Sequence, residues 1–358
     1  MSRLVDTFCD MVRISSESGQ EAQFIAYLKD LFSSRFDAAC TTDGYGNLVA
    51  KIPAKGSTVV ESVLFGVHGD TVKPGQDIEP AIEDGVIRSK GETILGADDK
   101  AGIAELVEAI QTADRHPALE IVVTREEELG LRGSRNLDMT LLDARIGFVI
   151  DMDALDAVVV GGPSKMSIDV TITGKAAHAG MEPEKGISAI RAASHAVVML
   201  KEGRIDPETT VNVGTIEGGE IRNGVPEKAT LKLECRSLSH DKCVQQYELI
   251  KQIFETSARA IGATAEITMD LSYKAAKLAE DSRPVQVVKQ AMKRVGITPQ
   301  VRVIGGGTDA SFYNAQGIQT VVIGAGMRDE HSKNEHIAVK DMETAVRIIG
   351  AILTILAG

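Results

Sequence analysis

Apolar residues in the first half of the chain form short, nearly continuous runs that alternate with helical patterns. The runs lie at 63–67, 121–123 and 148–150. Strands that are apolar on both faces are typical of a parallel sheet covered on both sides. Residues 22–36 and 101–113 place their apolar side chains on one helical face. The pattern predicts an α/β domain whose mostly parallel sheet carries helices on both faces.

The pattern changes after residue 163. Apolar and polar residues then alternate in four segments, at 166–172, 211–213, 229–235 and 265–271, with helical patterns at 185–201 and 241–261. The resulting order β-α-β-β-α-β is that of a ferredoxin-like unit. After Ser272 the α/β pattern resumes, with a helix at 285–294, a strand at 320–323 and a last helix from Asp341. We therefore predict a discontinuous α/β domain over 1–163 and 273–358, and an inserted domain over 164–272.

The charge balance excludes two classes of partner. The chain has 39 Lys and Arg against 51 Asp and Glu, a net charge of −12. Such a charge repels nucleic acid and anionic membrane surfaces. Tryptophan is absent and aromatic residues make up 4% of the chain, so base stacking is not indicated either.

The sequence also predicts where the protein works. The longest apolar stretch, 348–358, is too short to cross a bilayer, and the first residues lack the apolar segment of a secretory signal. We expect a cytoplasmic protein. Its four cysteines show no Cys-x-x-Cys spacing and are predicted to be buried thiols; they are Cys9, Cys40, Cys235 and Cys243.

Histidines and acidic residues follow the predicted strands and open one helix. They are His68 and Asp70, Asp98 and Asp99, Glu126 to Glu128, Asp151, and His331. Because the carboxyl ends of parallel strands meet at one edge of a sheet, we expect these side chains to lie close together. Two imidazoles with several carboxylates and no thiolate suit zinc better than magnesium or calcium. A carboxylate can also bridge two ions about 3.5 to 4 Å apart, so a two-metal site is predicted.

Each feature has a simpler explanation when it is taken alone. Asp98 and Asp99 could cap a helix, and the three glutamates could be a solvated charge run. Ser311 has no evident His and acid partners for a serine hydrolase. The segment 305–309 (Gly-Gly-Gly-Thr-Asp) lacks the ending of a phosphate-binding loop and is expected to be flexible backbone near the site.

Several motifs together resemble one enzyme family. Residues 95–102 (Leu-Gly-Ala-Asp-Asp-Lys-Ala-Gly), 127–130 (Glu-Glu-Leu-Gly) and 305–309 are similar to signatures of the co-catalytic dinuclear zinc exopeptidases. That family includes peptidase T, bacterial glutamate carboxypeptidase, acetylornithine deacetylase and succinyl-diaminopimelate desuccinylase. The resemblance covers nearly the whole chain and is strongest to the peptidase T branch.

The resemblance implies a role for each site residue. His68, Asp98 and Asp151 would hold one zinc ion, and Asp98, Glu128 and His331 the other, with Asp98 as the bridge. Asp70 would orient His68, and Glu127 would be the general base, with Glu126 as an extra acid. Asp153 is the alternative to Asp151, and His336 is the alternative to His331.

The inserted domain resembles the family's lid, which commonly forms dimers. His178 matches a lid histidine that reaches the partner's active site and would stabilise the oxyanion. Asn223 and Arg236 resemble lid residues that bind polar groups or the carboxylate of the substrate. The resemblance thus implies a homodimer that acts on short peptides.

The expected activity is hydrolysis of the N-terminal amide bond of short peptides by a metal-activated water. The alternatives are an N-acyl amino acid deacylase with the same two-metal centre, and a metal-binding protein without catalysis. Zinc is the expected metal, with cobalt or manganese as substitutes in vitro.

Overall fold

The computed structural model describes residues 2–358. Its helices are α1 (Arg3–Val12), α2 (Ala22–Phe36), α3 (Ala97–Thr112), α4 (Arg132–Arg135), α5 (Ala189–Met199), α6 (His240–Ala260), α7 (Arg283–Arg294), α8 (Ala310–Ala315) and α9 (Val339–Leu356). Short 3-10 helices occupy Met139–Leu141 and Pro183–Lys185. None of the helices in residues 2–358 has the length and apolar composition needed to span a bilayer.

The strands fall into several sheets. Those of the first half are β1 (Ala39–Thr42), β2 (Leu48–Ile52), β3 (Val63–His68), β4 (Pro80–Glu83), β5 (Val86–Ser89), β6 (Leu119–Thr124), β7 (Ile146–Met152), β8 (Ala157–Gly162), β9 (Ser164–Thr173) and β10 (Ala177–His178). Those of the second half are β11 (Gly203–Arg204), β12 (Thr209–Gly218), β13 (Gly224–Val225), β14 (Lys228–Ser237), β15 (Thr264–Tyr273), β16 (Ala276–Lys277), β17 (Gln300–Val303), β18 (Gln319–Gly324), β19 (Met327–Arg328) and β20 (His336–Ala338).

The contacts divide the chain into two compact units. The larger comprises the residues up to Gly161, Lys277–Ile304 and Thr308–Gly358, and the smaller comprises Gly162–Ala276 and Gly305–Gly307. Residues 305–307 therefore pack with the smaller unit. That this unit acts as a lid stays a prediction.

The central sheet has nine strands in the order β1-β2-β6-β3-β7-β18-β8-β16, and β17 also pairs with β8. The pairs β3 with β6, β3 with β7, and β7 with β18 are parallel. Alternate residues of one strand pack on opposite faces: Phe65 lies in the core with α1, α2, α3, α7 and α9, whereas Leu64 lies in a second core with Tyr313 of α8. The predicted mostly parallel sheet with helices on both faces is confirmed.

The smaller unit is an antiparallel sheet of order β11-β12-β14-β9-β15. Its inward residues pack with α5 and α6 in one core. The predicted helix at 185–201 is shorter in the structure, where it begins at Ala189. The reason is local, because the Ser188 side chain accepts a hydrogen bond from the Arg191 N–H and caps the helix there.

The prediction that all four cysteines are buried is wrong for one of them. Cys9, Cys235 and Cys243 are buried, whereas Cys40 is partly exposed. Cys40 lies in β1, at the edge of the sheet, where only β2 flanks the strand. The other three thiols pack within the hydrophobic cores.

Candidate metal centre

The five predicted ligands come from neighbouring elements of the larger unit. His68 is the last residue of β3, and Asp151 lies near the end of β7. Asp98 lies in the first turn of α3, and Glu128 follows β6. His331 lies between β19 and β20. Since β3 pairs in parallel with both β6 and β7, the carboxyl ends of these strands open at one edge of the sheet.

One half of the cluster forms around His68. Its Nε2 lies 2.9 Å from Asp98 Oδ1 and 3.7 Å from Asp151 Oδ1. Donor atoms bonded at about 2.1 Å to one tetrahedral ion lie about 3.4 Å apart, so this spacing fits a shared cation. His68 Nδ1 lies 3.1 Å from the Asp70 carbonyl oxygen. A proton on Nδ1 would leave the Nε2 lone pair facing the carboxylates.

The other half forms around His331. Its Nε2 lies 2.9 Å from Glu128 Oε1 and 3.3 Å from Asp98 Oδ2. The two oxygens of Asp98 therefore face different histidines. Such an orientation is the one required of a carboxylate that bridges two ions.

Asp99 lies in the same cluster, although the family resemblance implies no role for it. Three-residue groups with ligand atoms within 4.8 Å of one another are His68, Asp98 and Glu128, and also His68, Asp99 and Asp151. Asp99 Oδ2 accepts a hydrogen bond from the His68 backbone N–H at 3.2 Å. On its other side, a Cβ added to Gly102 would collide with Asp99 Oδ1. Asp99 is thus held between the His68 backbone and Gly102. Asp98 is therefore the better candidate for the carboxylate that bridges two ions.

The alternative ligands lie in different surroundings. Asp153 Oδ1 accepts a hydrogen bond from the Ala154 N–H at 2.7 Å. His336 Nδ1 lies 2.9 Å from the Asn334 carbonyl oxygen and 3.6 Å from Asp329 Oδ2. Asp153 and His336 are absent from the three-residue groups found among residues 2–358, and so is His331, whose place in the cluster rests on its distances to Glu128 and Asp98.

Crowded acidic groups perturb the protonation of the cluster. Asp98 and Glu128 raise the pKa of His331 to about 10. Burial raises the pKa of Asp151 to about 7, with Asp98 and Asp309 adding to the effect and His68 opposing it. Burial opposes the charge of His68, but Asp151, Asp70 and Asp98 outweigh it and hold its pKa well above 6.5. Divalent cations would take the place of these protons, so the donor set fits a metal centre.

Glu127, the predicted base, lies in a turn next to the cluster. Burial raises its pKa well above the usual 4.5, and Asp151 and Asp309 add to the rise while His68 opposes it. A raised pKa suits a group that must accept a proton near neutral pH. The preceding residue, Glu126, accepts a hydrogen bond from the Tyr45 hydroxyl at 2.8 Å, and it lies 3.3 Å from Arg132 Nη1.

Three further buried residues lie near the site, and the sequence predicted no individual role for any of them. Glu335 is 2% exposed and accepts backbone N–H groups at the start of α3. Asp309 accepts a hydrogen bond from the Thr124 hydroxyl at the end of β6. Lys100 donates to the Ile14 carbonyl at 2.7 Å, and burial lowers its pKa to about 7. The only signal for Glu335 was its place in the segment 331–335 (His-Ser-Lys-Asn-Glu), four residues after His331.

His178 and Asn223 lie in the smaller unit around one cavity of about 600 Å³. His178 Nδ1 accepts hydrogen bonds from the N–H groups of Gly180 at 3.2 Å and Met181 at 3.1 Å. An accepting Nδ1 places the imidazole proton on Nε2, so the exposed ring can donate a hydrogen bond. Ala179 also donates its N–H to the Asn223 carbonyl at 2.9 Å, which ties the two segments together.

Arg236 is fixed within the smaller unit by a carboxylate. Its Nε and Nη2 donate to the two oxygens of Glu234 at 2.8 and 3.2 Å. Its Nη1 donates to the Gly305 carbonyl at 3.3 Å. One face of the guanidinium is therefore already paired, and Arg236 is joined to the glycine segment 305–307.

A mostly parallel α/β sheet with histidines and carboxylates gathered at its strand ends has the architecture of a metal-dependent hydrolase. The chain belongs to peptidase family M20/M25/M40, whose sequence model matches residues 64–354. It is therefore a hydrolase of a metallopeptidase family.

Relatives match the chain over nearly its full length. Uncharacterized protein YqjE from Bacillus subtilis (strain 168) is 36% identical over 363 residues, which cover 98% of this chain and 97% of that protein. The crystal structure of aminopeptidase PepT from Bacillus cereus ATCC 10987 is similar with a TM-score of 0.92 and 36% identity, covering 99% of this chain and 98% of that one. A tripeptidase structure from Staphylococcus aureus subsp. aureus Mu50 gives a TM-score of 0.94 and 34% identity over the same shares, 99% and 98%.

Proposed function

We propose that this protein is a dinuclear metal-dependent aminopeptidase that removes the N-terminal residue from short peptides, tripeptides above all. The observation that carries the proposal is the orientation of Asp98, whose Oδ1 lies 2.9 Å from His68 and whose Oδ2 lies 3.3 Å from His331. The similarity to an aminopeptidase PepT and to a tripeptidase supports this substrate class.

The distances within the cluster support the ligand assignment that the family resemblance implies. His68, Asp98 and Asp151 would hold one ion, and Asp98, Glu128 and His331 the other. Zinc is the proposed metal, and cobalt or manganese would serve in vitro. Bound at such a site, divalent ions lower the pKa of water and polarise a carbonyl group.

The remaining steps belong to side chains of the protein. Glu127 accepts a proton from the attacking water and delivers it to the nitrogen of the leaving amine. His178 donates a hydrogen bond from Nε2 to the oxyanion that develops on the scissile carbonyl. Asn223 and Arg236 bind polar groups or the carboxylate of the peptide.

We further propose that the enzyme is a cytoplasmic homodimer formed through the smaller unit, in which His178 serves the partner's active site. Exposed apolar side chains on this unit are consistent with such an interface. They include Val198 at 82% and Met199 at 60% exposure on α5.

The decisive experiment compares a free tripeptide with its N-acetylated counterpart, using enzyme loaded with zinc, cobalt or manganese. We expect cleavage of the free peptide, with release of its N-terminal amino acid, and little cleavage of the acetylated one. A preference for the acetylated compound would make the protein a deacylase with the same centre. Failure to cleave either one with two ions bound would overturn both enzymatic functions.

A further inference from the structure

Glu335 joins the two loops that carry Asp98 and His331. Its Oε2 accepts the backbone N–H groups of Leu95 at 2.8 Å and Gly96 at 2.7 Å, and its Oε1 accepts that of Asp98 at 3.0 Å. The side chain is 2% exposed, so these bonds are shielded from water. A buried carboxylate that accepts three N–H groups fixes its partners firmly.

The start of α3 needs this carboxylate. The first N–H groups of a helix have no partner within the helix. Gly96 occupies the N-cap with a φ of 71° and has no side chain with which to cap these groups. Asp98 and Asp99 have non-helical backbone angles, so no regular helical turn forms there, and Glu335 supplies the acceptor for the N–H groups of Leu95, Gly96 and Asp98 from a distant part of the chain.

Glu335 and His331 lie in one compact loop. The hydrogen bonds that anchor Glu335 therefore also restrict the position of His331. The Glu335 N–H donates to the Ser332 carbonyl at 3.1 Å, and the Ser332 hydroxyl donates to the Asp329 carbonyl at 2.7 Å. His331 lies within this turn. Its Nε2 stands 3.3 Å from Asp98 Oδ2. The contact between Glu335 and the 95–98 backbone thus contributes to the position of His331 relative to Asp98, together with the pairing of β20 with β5.

The other half of the cluster has different support. His68 and Asp151 lie on paired strands of the central sheet, and Asp70 accepts the N–H groups of Glu127 and Glu128. None of these contacts involves Glu335. Loss of the Glu335 carboxylate would therefore disturb the half around His331 more than the half around His68.

We propose that Glu335 is a positioning residue that holds Asp98 and His331 at the spacing required for the second ion, the one assigned to Asp98, Glu128 and His331. This inference rests on the proposed two-metal function. It assigns to Glu335 no contact with substrate or with the reacting atoms.

The test counts metal ions and measures their affinities in the full-length protein. Metal-free wild type, Glu335→Gln and a control, Glu343→Gln, are titrated with zinc against a competing chelator, and bound zinc is measured by atomic absorption. Glu343 is exposed on α9 and carries the same charge change. In Glu335→Gln, an amide NH2 would face backbone N–H donors, so at least one hydrogen bond is lost.

We expect wild type and Glu343→Gln to bind two ions. Glu335→Gln should bind one ion normally and the second about 10- to 100-fold more weakly, which is the usual effect of losing a group that orients a ligand. Two ions bound with wild-type affinities by folded Glu335→Gln would overturn the inference, even if its stability falls. That result would leave Glu335 with only a structural role at the start of α3.

A second variant covers the case in which Glu335→Gln does not fold. Glu335→Asp keeps the charge but is one methylene shorter, and we expect it to weaken the second ion in the same direction. An unchanged second affinity in Glu335→Asp would then count against the inference. Failure of the wild type to bind two ions would overturn the proposed two-metal function itself, which separates the two conclusions.

Discussion

The carboxylate of Asp70 accepts the backbone N–H of Glu127 at 2.9 Å, so that the residue paired with His68 also positions the predicted base. The same carboxylate accepts the Glu128 N–H at 3.2 Å and the Ser18 hydroxyl at 2.7 Å. Burial acts to raise the pKa of Asp70, but hydrogen bonds from His68 and Ser18 outweigh it and hold the pKa below the usual 3.8. Asp70 is therefore charged at neutral pH and links β3 to the turn after β6.

Replacing Asp70 with Asn should weaken both metal binding and catalysis. The amide has one acceptor oxygen in place of two, and its NH2 group would face N–H donors. We expect metal affinity and kcat each to fall by about 10- to 100-fold. The measurements are a zinc titration and steady-state tripeptide hydrolysis.

The exposed Asp10 on α1 offers a matched control for this change. Its side chain is 65% exposed and forms an ion pair with Arg13. Asp10→Asn should leave both the metal affinity and kcat at wild-type values. Wild-type metal affinity in Asp70→Asn would contradict the orienting role of Asp70.

Glu127→Gln should separate metal binding from turnover. The amide cannot accept the proton of the attacking water, so we expect kcat to fall by about 100- to 10,000-fold. Glu127 is not among the proposed ligands, so the variant should still bind two ions. Steady-state kinetics together with metal analysis of the same sample check both statements.

The neighbouring Glu126→Gln is the control for the register of the three glutamates. Glu126 is held by Tyr45 and Arg132 rather than by the cluster. We expect it to keep most of the activity. A larger loss of kcat in Glu126→Gln than in Glu127→Gln would show that the base was assigned one residue too late.

The spacing of apolar residues was sufficient to predict the α/β layers and the inserted domain. Each long helix or strand buries one or both of its faces, so apolar residues recur along it at the period of that element. Strand ends then located His68 and Asp151, since parallel strands share one edge. The start of α5 was less predictable. It depends on the cap at Ser188, which a helical pattern counted from Lys185 passes over.

The structural roles of Glu335 and Asp99 could not be predicted from the sequence, for a different reason. Their hydrogen-bond partners are backbone N–H groups of residues brought close by the fold. Backbone groups are the same at every position, so no residue pattern marks the acceptor that will meet them. Only the resemblance to a family distinguished His331 from His336, and the distances now favour His331.

Mixed dimers would test whether His178 serves the partner's site. Glu127→Gln and His178→Ala are each expected to be inactive as homodimers. In a heterodimer of the two, one site combines an intact Glu127 with an intact His178 from the other subunit. A random mixture should then recover about one quarter of wild-type activity, since half of the dimers are mixed and each has one working site.

The control for this experiment is His195→Ala, because His195 lies on α5 and contacts Ser257. It should be active on its own. No recovery of activity in verified heterodimers would mean that His178 acts within its own subunit. A monomer in analytical ultracentrifugation would contradict the dimer itself.

Glu105 makes the stability of the larger unit depend on pH. It is fully buried in α3, and neither of its carboxylate oxygens has a hydrogen-bond partner among residues 2–358. Burial raises its pKa well above 4.5, and Asp99 and Asp341 add to the rise. The folded protein therefore keeps this proton at pH values at which the unfolded chain has lost it. Stability must fall as pH rises from about 4.5 towards the folded-state pKa, by up to about 1.4 kcal/mol per pH unit.

Glu105→Gln removes this ionisation and should stabilise the metal-free protein increasingly as pH rises. We expect its free energy of unfolding in urea to equal that of the wild type near pH 4.5 and to exceed it at pH 8. Glu108→Gln, on the same helix, should act in the opposite sense, because Glu108 accepts two hydrogen bonds from Arg3 at 2.8 Å. The free energy of unfolding of Glu108→Gln should fall by no more than about 1 kcal/mol, since Arg3 is half exposed. A difference between Glu105→Gln and wild type that is constant from pH 5 to 8 would mean that Glu105 has an ordinary pKa in the folded protein.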